Sequence, residues 1–133
     1  MIRALLRLLL ASLYAIAGVL HILAPRPFLS IMPGDLPYPE AIVLLTGIAE
    51  LLGAIALAQG WSLRLQRAGA IGLALYAVCV FPANMNHFAL DMARPDNGLG
   101  LAYHIPRMFA QPIIVWWALW AGGVTDWPWR RRS

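Results

Sequence analysis

The chain has 133 residues, 61% hydrophobic and 12% charged, with a mean hydropathy of +0.68. Soluble domains carry roughly 25% charged residues, and one domain of this size could not hide so much apolar surface from water, nor could so apolar a chain stay disordered. The ten cations are all arginine and give a net charge of +4, but they are dispersed around apolar stretches without a basic face, which argues against a nucleic-acid partner.

Composition therefore predicts a single all-α membrane domain over residues 1–133. A helix crosses the hydrocarbon core with about 20 apolar residues, and four stretches qualify: 5–24, 41–58, 68–90 and 106–124. The expected architecture is a transmembrane four-helix bundle. Between the first two spans lies PRPFLSIMPGDLPYPE, rich in proline and hence a connection. QGWSLRLQR forms a short polar turn, and DMARPDNGLGLAYH carries turn chemistry. A small-x-small site at Ala15-Ile16-Ala17 offers a signal-peptide alternative, but the apolar run continues to Ala24, long enough to span.

Arginine placement predicts orientation. Arg3, Arg7, Arg64, Arg67, Arg130, Arg131 and Arg132 share one side of a four-span arrangement, against Arg26, Arg94 and Arg107. Both termini are thus expected in the cytoplasm, with Trp61, Trp127 and Trp129 near that face. The expected location is a bacterial inner membrane. The terminal WPWRRRS is expected to contact lipid headgroups, and Trp116, Trp117 and Trp120 to act as lipid-facing or interfacial anchors.

Polar groups inside a bilayer are expensive and need a reason. Glu50 lies about 13 Å along the second span, near mid-membrane. It is a candidate proton carrier or ligand anchor, or a hydrogen-bonding strut between helices. Arg107 and Gln111 share a face of the fourth span. Asn84 and His87 lie in the outer half of the third, and His21 near the outer end of the first. Tyr14, Gly18, His21 and Pro25 form one stripe at helical spacing; Thr46, Glu50, Gly53 and Leu57 form another; Gly72, Tyr76, Cys79 and Ala83 form a third. These placements predict a polar pocket of His21, Glu50, Asn84, His87, Arg107 and Gln111 open to the outer side. The cytoplasmic half is expected to be closed by apolar packing with almost no polar residue. Arg107 is a candidate partner for Glu50 although their depths differ by about 10 Å, with Gln111 as a bridge.

Imidazole and thioether ligands suit copper, and His21, His87 and Met85 are weak candidates for it. Only Met85-x-His87 is closely spaced, so no metal site is expected. Cys79 is the sole cysteine, which excludes an internal disulfide and predicts a small packing residue. Phosphate-loop, dinucleotide, zinc-protease and serine-hydrolase motifs are absent.

Gly18, the His21-to-Pro25 ending of the first span, Pro33, Pro37, Gly47-Ile48-Ala49-Glu50-Leu51, Gly53, Phe81-Pro82-Ala83-Asn84, Arg107 and Gln111 occur in an order that resembles the DoxX-like family of small four-span membrane proteins. The resemblance covers roughly residues 14–122. It implies a compact bundle and a link to quinone-dependent oxidation of sulfur compounds, to oxidative-stress complexes, or to assembly of redox enzymes and receptors. The first expectation is an accessory or assembly subunit of a redox-linked membrane complex, not catalytic alone, with lipid and a protein partner or a second copy around it. The second is a quinone-binding subunit, in which His21 or Asn84 holds a carbonyl oxygen and Glu50 carries the proton. The third is a binder or carrier of a small solute or copper.

Overall fold

The computed structural model describes residues 1–128. The described residues form helices joined by turns: α1 (Ile2–Leu23), α2 (Arg26–Leu29), α3 (Pro39–Ala58), α4 (Leu63–Cys79), α5 (Phe81–Met92) and α6 (Leu101–Ala121). Trp129 and Arg130–Arg132, on which part of the expected orientation rests, lie outside them.

The helix boundaries follow from local chemistry. Pro39 opens α3, where its missing N–H costs nothing. The turn after α3 is closed by Gln59, which is buried. Its Nε2 donates to the Ala56 and Ser62 carbonyls, and its Oε1 accepts from the Trp61 and Ser62 amides, each at 2.9 Å. Ser62 then caps α4 by accepting from the Leu65 amide at 3.3 Å. The stretch expected as one span over 68–90 is two helices. Pro82 cannot donate to the turn before it, and the helix breaks at Val80. The last helix starts at Leu101, not Pro106, so Pro106 and Pro112 both lie inside it.

Four long elements close a ring, with α1 packed on α3, α3 on α4, α4 on α6 and α6 back on α1. The tightest approach is α1 against α3. A Cβ on Gly18 would lie 2.7 Å from the Gly47 carbonyl oxygen, and one on Gly47 would lie 3.0 Å from that of Gly18. Only glycine permits that backbone contact.

The apolar core sits in the half of the bundle near the N-terminus. It gathers Leu10, Ala11, Tyr14, Ala54, Leu57, Ala70, Leu73, Ala74 and Ala118. Outside, the helices present leucine and isoleucine: Leu45 and Leu52 are each 63% exposed, and Ile55 and Leu75 61%. A continuous apolar exterior of this kind is what lipid requires. Three segments are long and apolar enough to cross a membrane: Ile2–Leu23, Pro39–Ala58 and Leu63–Met92, the last joining α4 and α5. α6 has a similar length of 21 residues, but His104, Arg107, Gln111 and two prolines dilute its hydropathy.

Two expectations are corrected here. The buried stripe of α4 is Gln66, Gly69, Ala70, Leu73, Ala74 and Ala77, whereas Gly72 and Cys79 are exposed. Alanines fill most of this face; Tyr76 is half-buried and packs against the core edge, and Cys79 does not. The half expected to be nearly free of polar groups holds a network: Arg7 donates to the buried Gln66, and Gln66 Nε2 donates to the Gly122 carbonyl at 3.4 Å. Arg3 adds bonds to the Trp120 carbonyl and Asp126, both at 2.7 Å, and to the Thr125 carbonyl at 3.1 Å. Trp116 and Trp120 stack on each other with centroids 5.8 Å apart, and Arg3 lies 5.2 Å over the Trp120 ring, which ties the start of α1 to the end of α6.

Candidate functional site

The other half of the bundle contains a cavity of about 550 Å³, within the range of small-molecule sites. His21, Glu50, Asn84, Arg107 and Gln111 all line it, amid side chains such as Leu10, Phe28, Ile114 and Trp117. His87, expected among them, stands one step behind Arg107. The α2–α3 connection adds Ile31, Met32, Pro33 and Leu36 to the lining, and Asn86 on α5 holds it there by donating to the Ile31 carbonyl at 2.8 Å.

On the α1–α3 wall, Glu50 is only 3% exposed. The glycine contact brings His21 to it, with His21 Nδ1 2.9 Å from Glu50 Oε2. The same nitrogen lies 2.9 Å from the Ala17 carbonyl. One Nδ1 proton serves both oxygens, and the carbonyl has the better angle, so Glu50 Oε2 is left without a well-formed hydrogen bond. The His21 ring stacks on Phe28 at 3.6 Å. Thr46 turns its hydroxyl to the Val43 carbonyl at 2.8 Å, and Tyr14 donates to the Leu73 carbonyl at 3.4 Å. Glu50 thus lines the cavity with Oε2 buried against the His21 ring.

On the α5–α6 wall, Arg107 Nη1 donates to His87 Nδ1 at 2.9 Å and to Tyr103 Oη at 3.1 Å. Guanidinium only donates. His87 Nδ1 is therefore bare, and its proton sits on Nε2, which points to Asp91 Oδ2 at 3.5 Å. The same Asp91 oxygen lies 2.9 Å from His104 Nε2 and accepts from the Leu99 amide at 3.0 Å. Arg107, His87, Asp91 and His104 form one chain that ties α5, α6 and the loop between them.

The expected pairing of Glu50 with Arg107 is not what the geometry provides: each has its own partner on its own wall. Gln111 does not bridge them; it donates to the Ala77 carbonyl of α4 at 3.3 Å. The three weak copper candidates are not assembled either. His21 belongs to Glu50, His87 to Arg107, and Met85 is 52% exposed. His87, Asp91 and His104 do offer ligand atoms within 4.8 Å of one another. However, a metal on both Nε2 atoms would move each proton to Nδ1. There His87 would meet the Arg107 donor, and the buried His104 Nδ1 has no acceptor. Ligating histidines need such an acceptor, so the trio is a hydrogen-bonded latch.

Asp91 and Tyr103 were not among the residues singled out from the sequence, and His104 entered only with His21 and His87 as the outer-side imidazoles weighed for copper. Asp91 falls just past the expected end of the third span and His104 in the expected connection. The signal that could have found them is the i, i+4 spacing of His87 and Asp91.

In the loop, Asp96 accepts from the Gly98 amide at 3.0 Å and pairs with Arg94 at 3.1 Å. The amide bond and then the arginine hold its carboxyl below the usual value of 3.8. Its small stabilisation of the turn is expected to be complete above pH 3.8 and to disappear as pH falls through the lowered value. The protection of the Gly98 amide, its exchange rate relative to an unstructured amide at the same pH, should therefore fall only in that acid range.

An all-helical bundle with an apolar exterior, membrane-length helices and a polar-studded cavity in one half is a membrane-type protein with an internal site. The chain belongs to the family defined by a domain of unknown function, DUF8561, whose model matches residues 10–122. No curated protein and no solved structure matches it.

Proposed function

We propose that this is a multi-pass membrane protein whose cavity binds a small, mostly apolar molecule with a polar head, and that it serves as a non-catalytic subunit of a redox-linked membrane complex. The four spans are α1, α3, α4 with α5, and α6. An even number puts both termini on one side, and Arg3, Arg7, Arg64 and Arg67 favour the cytoplasm for it. A bacterial inner membrane is the simplest setting.

The observation that carries the binding reading is the cavity itself. Glu50, Asn84, Arg107 and Gln111, drawn from different helices, line one space. They are also positions that carry the resemblance to the DoxX-like family, which supports a redox-linked role and makes a quinone one ligand of suitable shape. In a quinone complex the reduced head would donate to the Glu50 carboxylate.

Native mass spectrometry of the protein released gently from its own membrane tests this. The expected result is a co-purifying small molecule near one per chain. Glu50→Gln, which keeps the shape, should lower its occupancy at least tenfold while the helical spectrum stays unchanged. A stoichiometric protein partner with no bound molecule would replace this reading with a purely structural assembly role.

A further inference from the structure

Arginine carries five N–H bonds. In Arg107 both of those on Nη1 are used, toward His87 and Tyr103. Among the described residues, the Nε–Nη2 edge has no protein acceptor, and Arg107 pairs with no carboxylate. The side chain is half-buried and lines the cavity. Its position is fixed from behind by the His87–Asp91–His104 chain, whose His104 end is 1% exposed.

That free edge is the one that meets two oxygens of a carboxylate or phosphate in parallel. A cation whose nearest partners in the cavity wall are neutral calls for a counter-charge. Glu50, the one acid that shares the cavity, is turned to His21 on the opposite wall. Below Arg107 the lining is mostly apolar down to Leu10 of α1, with Gln111, Glu50, Thr46, Tyr76 and Tyr14 as its polar side chains. The helical rise from His21 to Leu10 gives that part a depth of about 17 Å, suited to a single hydrocarbon tail.

From this geometry we infer that the cavity takes an amphiphilic acid, its carboxylate or phosphate head clasped by the Nε–Nη2 edge of Arg107 and its tail running down between α1 and α6. The inference rests on the cavity being a ligand site and names the chemistry of its occupant. Gln111 and Asn84 flank the head, while the Ile31–Leu36 connection lines the same cavity. The His87 latch is a positioning device: it occupies Nη1 and so leaves the other edge turned to the ligand.

The test uses the full chain in phosphatidylcholine nanodiscs, titrated with dodecanoate, dodecyl phosphate and dodecanol and followed by native mass spectrometry. The acids should bind at least tenfold more tightly than the alcohol of equal length, the ratio that charge-assisted hydrogen bonds provide. This comparison needs no variant. Arg107→Gln should then remove the preference without weakening dodecanol, and Arg107→Lys, which keeps the charge but not the fork, should restore part of it. Phosphatidylglycerol in the disc separates two sources of the same chemistry. If it displaces dodecanoate, the natural occupant is a bilayer lipid; if it does not, the occupant is a free acid. Equal affinity for acid and alcohol would overturn the acidic head while leaving the cavity a ligand site. Binding of none of the probes would overturn both.

Discussion

Replacing Gly18 with alanine is expected to destabilise the bundle by about 2 kcal/mol, the usual cost of overpacking a closed contact. The added methyl would lie 2.7 Å from the Gly47 carbonyl oxygen, 2.9 Å from Leu51 Cγ and 3.2 Å from Glu50 Cβ. The carbonyl belongs to the backbone of a helix and cannot rotate away, so α1 and α3 must separate. Gly47→Ala should behave alike, because its methyl would meet His21 Cβ at 2.8 Å. One separation accommodates both methyls, so the double variant should cost clearly less than the sum. Unfolding in mixed micelles would measure all three. The consequence for the site follows from the same displacement: Glu50 and His21, 2.9 Å apart across this crossing, should part, and ligand occupancy should fall with stability. A change within about 0.5 kcal/mol, the scale of ordinary surface substitutions, would mean that the helices do not meet at their glycines.

Gly98→Ala is expected to have a comparable effect by another route. Gly98 has φ of +52°, which costs an L-residue roughly 1–2 kcal/mol. Its Cβ would also lie 2.7 Å from Asp91 Oδ2, the oxygen that takes the His104 and Leu99 bonds. Both the turn and the latch should therefore yield, for a total of about 2–3 kcal/mol when overpacking is added to strain. In an Asp91→Ala background the steric part is gone, and Gly98→Ala should then cost only its backbone strain. Thermal unfolding of the four proteins measures the cycle, and exchange at the Leu99 amide reports the latch directly. Full additivity would show that the carboxylate does not occupy that space. Loosening the latch should also weaken selection of acids over alcohols at Arg107, since the guanidinium loses its fixed orientation.

The polar residues inside the apolar spans were legible as a set because each is costly in lipid. Helical rise alone places His21, Glu50, Asn84, Arg107 and Gln111 in one half of the molecule. Their partners were not legible in the same way. Arg107 was weighed against Glu50 because opposite charges attract, yet it meets an imidazole on the neighbouring helix, because α5 starts afresh at Phe81, with Pro82 in its first turn, and turns His87 toward α6. His104 was assigned to a connection because the fourth span was begun at Pro106, whereas α6 begins at Leu101 and absorbs the proline. In α4 the alanines face inward since α3 approaches there too closely for larger side chains: a Cβ on Gly69 would lie 2.7 Å from that of Ala56.

The sequence by itself determined that this protein is helical and membrane-like, where its apolar helices run, and which half holds its polar groups. Those properties depend on composition and on periodicity along one helix, which are local. Only the tertiary structure decided which polar groups meet, that Asp91 and His104 stand behind Arg107, and that Gln66 and Arg7 close the other end. Those choices depend on which helix faces touch, and a glycine contact, a proline break and a buried carboxylate between distant residues set them through space rather than along the chain.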